Sequence, residues 1–315
     1  MCIVPFPKFV ASEIVNRKYK LMYNYMGLKI VVLAKQVPDT RNVGKDAMKA
    51  DGTVNRAALS AIFNPEDLNA LEQALRLKDK YEGSTVSILT MGPGRAAEII
   101  RESMYRGADD GYLLTDRAFA GSDTLATSYA LSCAIKNFPK VDLIICGRQA
   151  IDGDTAQVGP QVAEKLGMPQ ITYAEEILSC SKDKITVKRR LEKGVELVEG
   201  KLPMVVTVNG SAPECRPRNA KLVMKFKRAK TVSEKQESSQ DYINLFDTCP
   251  YLNITEWSVN DIKADADWLG LKGSPTKVKE IESVVFQTKE SKRLTPDDFD
   301  MESLMRELIS NHTIG

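Results

Sequence analysis

The sequence predicts an α/β fold built on a doubly wound, mostly parallel sheet, extended by a β-hairpin and a C-terminal arm. Three observations carry this reading. Several short segments are apolar throughout and rich in β-branched residues, as strands covered on both faces must be. Stretches of helical periodicity separate them. Around Gly194 the pattern turns to alternation, which marks a hairpin.

The elements follow in order. Residues 29–37 (KIVVLAKQV) form the first strand. Asn64-Pro65-Glu66-Asp67 opens a helix, with Asn64 as N-cap, Pro65 at the first position and two acids against the helix dipole. It runs to about Lys80, with Leu68, Leu71 and Leu75 as the buried stripe. Strand 84–90 (STVSILT), a helix from Pro93 to Arg106, strand 111–115 (GYLLT), a helix from about Asp123 to Phe138 and strand 141–146 (VDLIIC) come next. Another helix ends near Leu166-Gly167. Beyond it, residues 184–191 and 195–198 make the hairpin, and 204–208 (MVVTV) a last strand. From Arg216 to Lys235 there are eight Lys or Arg and one acid, Glu234. Residues 233–240 (SEKQESSQ) read as a polar linker, and 241–315 as an arm too thin in apolar residues to fold alone.

Composition excludes several function classes. Lys plus Arg is 44 and Asp plus Glu 42, a net charge of +2, so there is no global electrostatic case for nucleic acid. The one histidine, His312, excludes a Ser-His-Asp triad supplied by this chain and zinc sites needing two histidines. Chemistry here falls to a cofactor or a partner. The six cysteines form no CxxC pair, and Cys133 and Cys146 sit in apolar runs, which favours a reduced, cytoplasmic compartment. Residues 1–26 are too short and polar for membrane insertion and read as a dispensable extension, with Met26 the favoured start.

Ligands of parallel sheets collect at the carboxyl ends of strands, and three glycine-bearing loops qualify. Gly92-Pro93-Gly94-Arg95-Ala96-Ala97 matches a dinucleotide pattern, with Asp116 near the expected ribose acid, but Pro93 removes an N–H from any phosphate cradle. Gly121-Ser122-Asp123-Thr124 opens a helix; Asp123 or Ser122 serves as N-cap, and Thr124 and Thr127 share a face of the first turn. The third, Gly147 to Pro160 (GRQAIDGDTAQVGP), leaves an apolar strand and enters a helix whose first-turn N–H groups suit phosphate. Asp152 and Asp154 would repel phosphate, leaving them to cap the helix or accept from ribose hydroxyls. The residues themselves point to a Rossmann-like sheet with an adenine-nucleotide site.

At this loop the sequence resembles the β (small) subunits of electron transfer flavoproteins. The segments that carry the resemblance are 29–40, 63–78, 90–109, 116–128, 143–170, 201–208 and 271–278, with GRQAIDGDTAQVGP the most specific. The resemblance implies a heterodimer with an FAD-holding α subunit. It further implies AMP in the β subunit of the housekeeping type, or a second FAD in the electron-bifurcating type. DGDTAQVGP and SDTLATS resemble the bifurcating type; the AMP type is more acidic and bulkier around Gly153 and Thr155. Carried over by position, Leu33 and Lys35 line the adenine pocket through backbone contacts, and Asn64 and Met91 lie around the same nucleotide. Ala150, Asp152, Gly153, Thr155, Ala156, Gln157 and Val158 wrap ribose and pyrophosphate. Asp123, Thr124 and Thr127 match a segment diagnostic of a full flavin, with Arg148 and Lys35 as nearby positive charge.

The implied mechanism is hydride transfer from NADH to the β-subunit flavin. One electron then goes through the α subunit toward an acyl-CoA dehydrogenase-like partner and the other to ferredoxin or flavodoxin. The family's docking loop matches about Ala212 to Met224, where Ala220 replaces a larger apolar residue and Pro217 is inserted; the basic run Lys221–Lys230 is either a solvated face or a steering surface for acidic carriers. The expected division is an N-terminal extension (1–28), an α/β nucleotide or flavin domain (29–228), and a linker with an arm docking on the α subunit (229–315). A universal-stress-type nucleotide regulator and an ATP pyrophosphatase are the rival readings.

Overall fold

The computed structural model describes residues 27–39, 60–181, 183–237, 243–276, 293–311 and 313–314. The extension 1–26 and residues 238–240 of the expected linker lie outside them.

Nine strands form one sheet. Its centre is β1 (Lys29–Leu33), flanked by β4 (Thr85–Met91) and β6 (Leu143–Gly147), both parallel to it. β5 (Asp110–Leu114) extends one side, and β10 (Met204–Val208) and β7 (Gln170–Cys180) the other, all parallel. A hairpin of β8 (Lys184–Leu191) and β9 (Gly194–Lys201) then continues antiparallel from β7. A separate short pair joins β2 (Gln36–Pro38) to β3 (Ala61–Phe63). The apolar runs read as strands are the buried centre: Val32, Ile88, Leu143, Ile145, Val206 and Val208 are closed to solvent. The α/β class, the mostly parallel sheet and the hairpin are as the sequence predicts.

Four longer helices cover the sheet: α1 (Pro65–Lys80), α2 (Ala97–Arg106), α3 (Thr124–Ile135) and α4 (Val158–Leu166). α4 ends on Gly167 in the left-handed conformation, the expected stop. α1 departs from a single buried stripe. Leu71 and Leu75 are buried, Leu68 half-buried, and the polar Asp67, Asn69, Glu72 and Gln73 are buried too. Each of these last has a partner, as burial of a polar group requires: Asn69 donates to Ala212 O (2.6 Å), Gln73 accepts from Ile177 N (3.0 Å), and Glu72 receives the Arg216 guanidinium (2.9 Å).

Three expectations change. β7 was not anticipated. Its exposed residues include the large apolar Tyr173 and Leu178, its ladder with β8 carries two bulges, and Tyr173 has φ 58°, so its period of two is broken. The linker begins as a helix: after α5 (Ala220–Phe226) comes α6 (Val232–Glu237), held where Glu234 pairs with Arg101 (3.0 Å) and accepts from Thr231 N (2.9 Å). The arm is not all foreign to the domain. After α7 (Ile243–Thr248), β11 (Thr255–Trp257) adds a parallel edge strand to β5, and Leu252, Ile254, Ile262 and Leu269 join the core. Trp257 packs on Tyr112 with ring centroids 4.5 Å apart. An open strand edge and an aromatic surface on β5 attract this segment, which local composition does not reveal. The last helix, α8 (Asp298–Ser310), has no buried residue.

Candidate functional site

The chain leaves β1 toward β4 on one side and reaches β6 on the other, so a crevice opens at the carboxyl ends of β1 and β6, where doubly wound sheets hold ligands. The first turn of α1 furnishes its floor. Asn64 stands at the N-cap position without a side-chain capping bond; instead it donates to Gln149 O (2.9 Å) and accepts from Ile151 N (3.2 Å). Glu66 accepts from Gln149 N (3.0 Å) and from the Arg148 guanidinium (3.0 Å). Asp67 accepts from Lys35 N and Gly147 N, both at 2.9 Å, tying the ends of β1 and β6 together. Burial pushes the Asp67 carboxyl up to about 7, against the lowering effect of these N–H groups and of Asn64. Gly147 is required here: a Cβ would stand 2.5 Å from Asp67 Oδ1.

Above this floor runs the loop 148–157. Ala150 O accepts from Asp154 N (2.9 Å), and Gly153 lies open, with nothing within 4 Å of a built Cβ. Asp154 (φ 49°) and Ala156 (φ 53°) are left-handed without being glycine, which costs about 1–2 kcal/mol each. Left-handed residues set between right-handed ones turn successive N–H groups toward one side, a concave anion-binding surface. The N–H groups of Thr155, Ala156, Gln157, Val158 and Gly159 have no acceptor among the described residues. They run into the start of α4, whose dipole adds positive potential. The geometry fits the phosphates of a nucleotide.

The second loop meets the first. Thr124 Oγ1 donates to Gln157 Oε1 (2.8 Å) and accepts from Gln161 Nε2 (3.4 Å), while Thr127, half-buried, lies one turn further along α3. Asp123 caps α3, accepting from Leu125 N (2.9 Å) and Ala126 N (3.0 Å). Against desolvation, hydrogen bonds from Thr276, Ala126 and Leu125 hold its carboxyl below the usual carboxylate range. Leu33 is buried at the end of β1, and Met91 half-buried at the end of β4.

Several side chains have other partners than the sequence suggests. Lys35 and Arg148, expected as free positive charge, are paired with Asp152 (2.8 Å) and Glu66 (3.0 Å). Lys35's backbone N–H belongs to Asp67, and its carbonyl accepts from Asn64 N. Neither Asp152 nor Asp154 caps a helix: Asp154 accepts from Gln149 Nε2 (2.9 Å). Asp116 caps the turn at Ala118 N and accepts from Val259 N, so the first glycine loop lacks its ribose acid. Sequence reasoning took Glu66 and Asp67 only as dipole partners and missed Tyr173, whose ring faces the Arg148 guanidinium at 5.7 Å. Two adjacent acids after Asn-Pro were the available signal for the former; Tyr173 had none.

Residues 51–237 match the family model described as the electron transfer flavoprotein domain. The chain is 43% identical over 252 residues to the electron transfer flavoprotein subunit beta of Clostridium acetobutylicum, covering 80% of this chain and 86% of that one. The chain belongs to the electron transfer flavoprotein family, among its β subunits. It is also 43% identical over 251 residues to the caffeyl-CoA reductase-Etf complex subunit CarD of Acetobacterium woodii (80% of this chain, 86% of that one). With protein FixA of Azotobacter vinelandii the identity is 39% over 280 residues (87% and 90%). An electron transfer flavoprotein β subunit works with an α subunit. No helix among the described residues is long and apolar enough to cross a membrane.

Proposed function

We propose that the chain is the FAD-binding β subunit of an electron-bifurcating, cytoplasmic electron transfer flavoprotein. Its electrons come from NADH and divide between ferredoxin or flavodoxin and, through the FAD of the α subunit, an acyl-CoA dehydrogenase-like partner. The observation that carries this reading is the loop 150–159, open at Gly153 and presenting five N–H groups that have no acceptor among the described residues. The names of two relatives, the caffeyl-CoA reductase-Etf subunit CarD and an acryloyl-CoA reductase electron transfer subunit of Anaerotignum propionicum, support a partner that reduces an acyl-CoA.

A bound flavin supplies the two-electron acceptance and one-electron release that the reaction needs. The chain's own residues bind and orient. The amides of Thr155 to Gly159 hold the pyrophosphate, Asp152 and Ala150 lie beside the ribose, and Leu33, Lys35, Asn64 and Met91 border the adenine. Thr124 and Thr127 reach the remainder of the larger nucleotide. For partners, α8 presents Phe299, Met301, Met305 and Ile309 to solvent, an apolar set suited to the α subunit. Lys221, Lys225 and Lys227 around exposed Met224 on α5 suit an acidic carrier. The domain division becomes 1–28 as extension, 29–228 as nucleotide domain and 229–315 as linker and arm, with the segment 243–276 of the arm folded onto the domain. Acid extraction of the purified heterodimer is expected to yield about two FAD. One FAD with one AMP would assign the chain to the AMP-binding type instead.

A further inference from the structure

The loop before α3 is held by the arm as well as by its own turns at Asp116 and Phe119. Thr115 N donates to Trp257 O (3.0 Å), and Asp116 accepts from Val259 N (3.4 Å). Leu269 is buried in one cluster with Phe119 and Leu114. Gly121, at φ 75°, has the Leu271 side chain directly against it, 2.7 Å from where a Cβ would stand. Buried Ser274 accepts from Asp123 N (2.9 Å) and donates to Gly270 O (2.6 Å). Apart from the Ser274–Gly270 bond, which holds the arm's own turn, each of these contacts joins a loop at the nucleotide crevice to a residue of the arm more than 130 positions later in the chain.

Asp123 is where they converge. One carboxylate oxygen caps α3 through Leu125 N and Ala126 N; the other accepts both the N–H (3.1 Å) and the hydroxyl (2.6 Å) of Thr276. Its neighbour Thr124 bonds Gln157, the residue at the mouth of the anion cradle. The path from the arm to the cradle is therefore Thr276, Asp123, Thr124, Gln157, with no side chain between them lacking a partner. We propose that Asp123 is a positioning residue that makes segment 269–276 of the arm a working part of the nucleotide site, so that seating of this segment and nucleotide bound beside Thr124 and Thr127 strengthen each other. The proposal rests on the nucleotide reading above and adds a role for residues that touch no nucleotide. By linkage, whatever the segment's seating contributes to nucleotide affinity, the nucleotide returns to the seating.

The test uses the full-length heterodimer, stripped of nucleotide and titrated separately with FAD and with AMP. Thr276→Val removes the hydroxyl donor and leaves the helix cap of α3 intact; it is expected to weaken binding by roughly tenfold, the worth of one hydrogen bond to a charged group. Thr276→Ser is expected to restore affinity to within about twofold, which a merely structural packing role of the methyl group would not do. Asp123→Asn, which turns an amide donor toward Thr276, is expected to weaken it further. Amide hydrogen exchange at Thr276 in the wild type is expected to slow when nucleotide is added. Wild-type affinity in Thr276→Val and Asp123→Asn, or exchange at Thr276 indifferent to nucleotide, overturns the inference while leaving the site reading intact. A wild-type heterodimer that takes neither FAD nor AMP on this chain overturns the site reading and the inference with it.

Discussion

Asp67 takes a carboxyl group out of water and meets it with two backbone N–H groups, from Lys35 and Gly147. Those bonds favour the ionised form, yet burial outweighs them and lifts the group from 3.8 to about 7. The folded value lies above the unfolded one. The stability it contributes is therefore fully present below pH 3.8 and is lost as pH rises through about 7. Asp67→Asn stays neutral throughout. Its stability relative to wild type, measured by urea unfolding, is expected to rise by on the order of 2 kcal/mol between pH 5 and pH 8. A difference that does not change with pH would show that this carboxyl does not titrate in that range. Gly153 is the opposite kind of residue, open and unencumbered. Gly153→Glu is expected to fold normally and to lose the β-chain nucleotide, because its carboxylate enters an anion cradle where like charge and bulk both oppose phosphate. Full nucleotide content in the folded variant, read by extraction and circular dichroism, would mean that the phosphates bind elsewhere.

At the scale of elements, the C-terminal arm divides into two parts with different energetics. Residues 243–276 carry Leu252, Ile254, Ile262 and Leu269 into the core and lend the sheet its edge strand β11. Each such side chain contributes about 1.5–3 kcal/mol when fully buried. Truncation after Lys235 is therefore expected to destabilise the domain itself, whereas the sequence predicts an arm that docks only on the α subunit. Removal of 293–315 is a different experiment. α8 buries nothing, so the shortened chain is expected to keep its thermal midpoint and to lose heterodimer on size-exclusion chromatography with the co-expressed α subunit. A heterodimer of undiminished yield would show that α8 is not a docking element. β7 and the hairpin make the same point about context: β8 alternates and is legible, whereas β7, bulged and with Tyr173 and Leu178 exposed, owes its strand character to β10 on one side and β8 on the other.

For the whole molecule, the layered sheet was legible because its central strands are buried on both faces and must be apolar throughout; Val31, Ile88, Ile144 and Val206 leave no other reading. The crevice was legible as well, since small residues and unpaired N–H groups at a strand-to-helix loop have a local signature in Gly147 to Pro160. Partnerships were not. Lys35 with Asp152, Arg148 with Glu66 and Asp123 with Thr276 join residues 82 to 153 positions apart, and nothing in the spacing of charges selects one acid over another. The sequence by itself determined the fold class, the strands of the buried centre and the loop that forms the cradle, because burial and backbone conformation act on each residue locally. Only the tertiary structure decided which carboxylate each cation meets, that Asp67 ties two strands, and that part of the arm packs into the α/β domain, because those outcomes depend on which surfaces the chain brings within hydrogen-bonding distance.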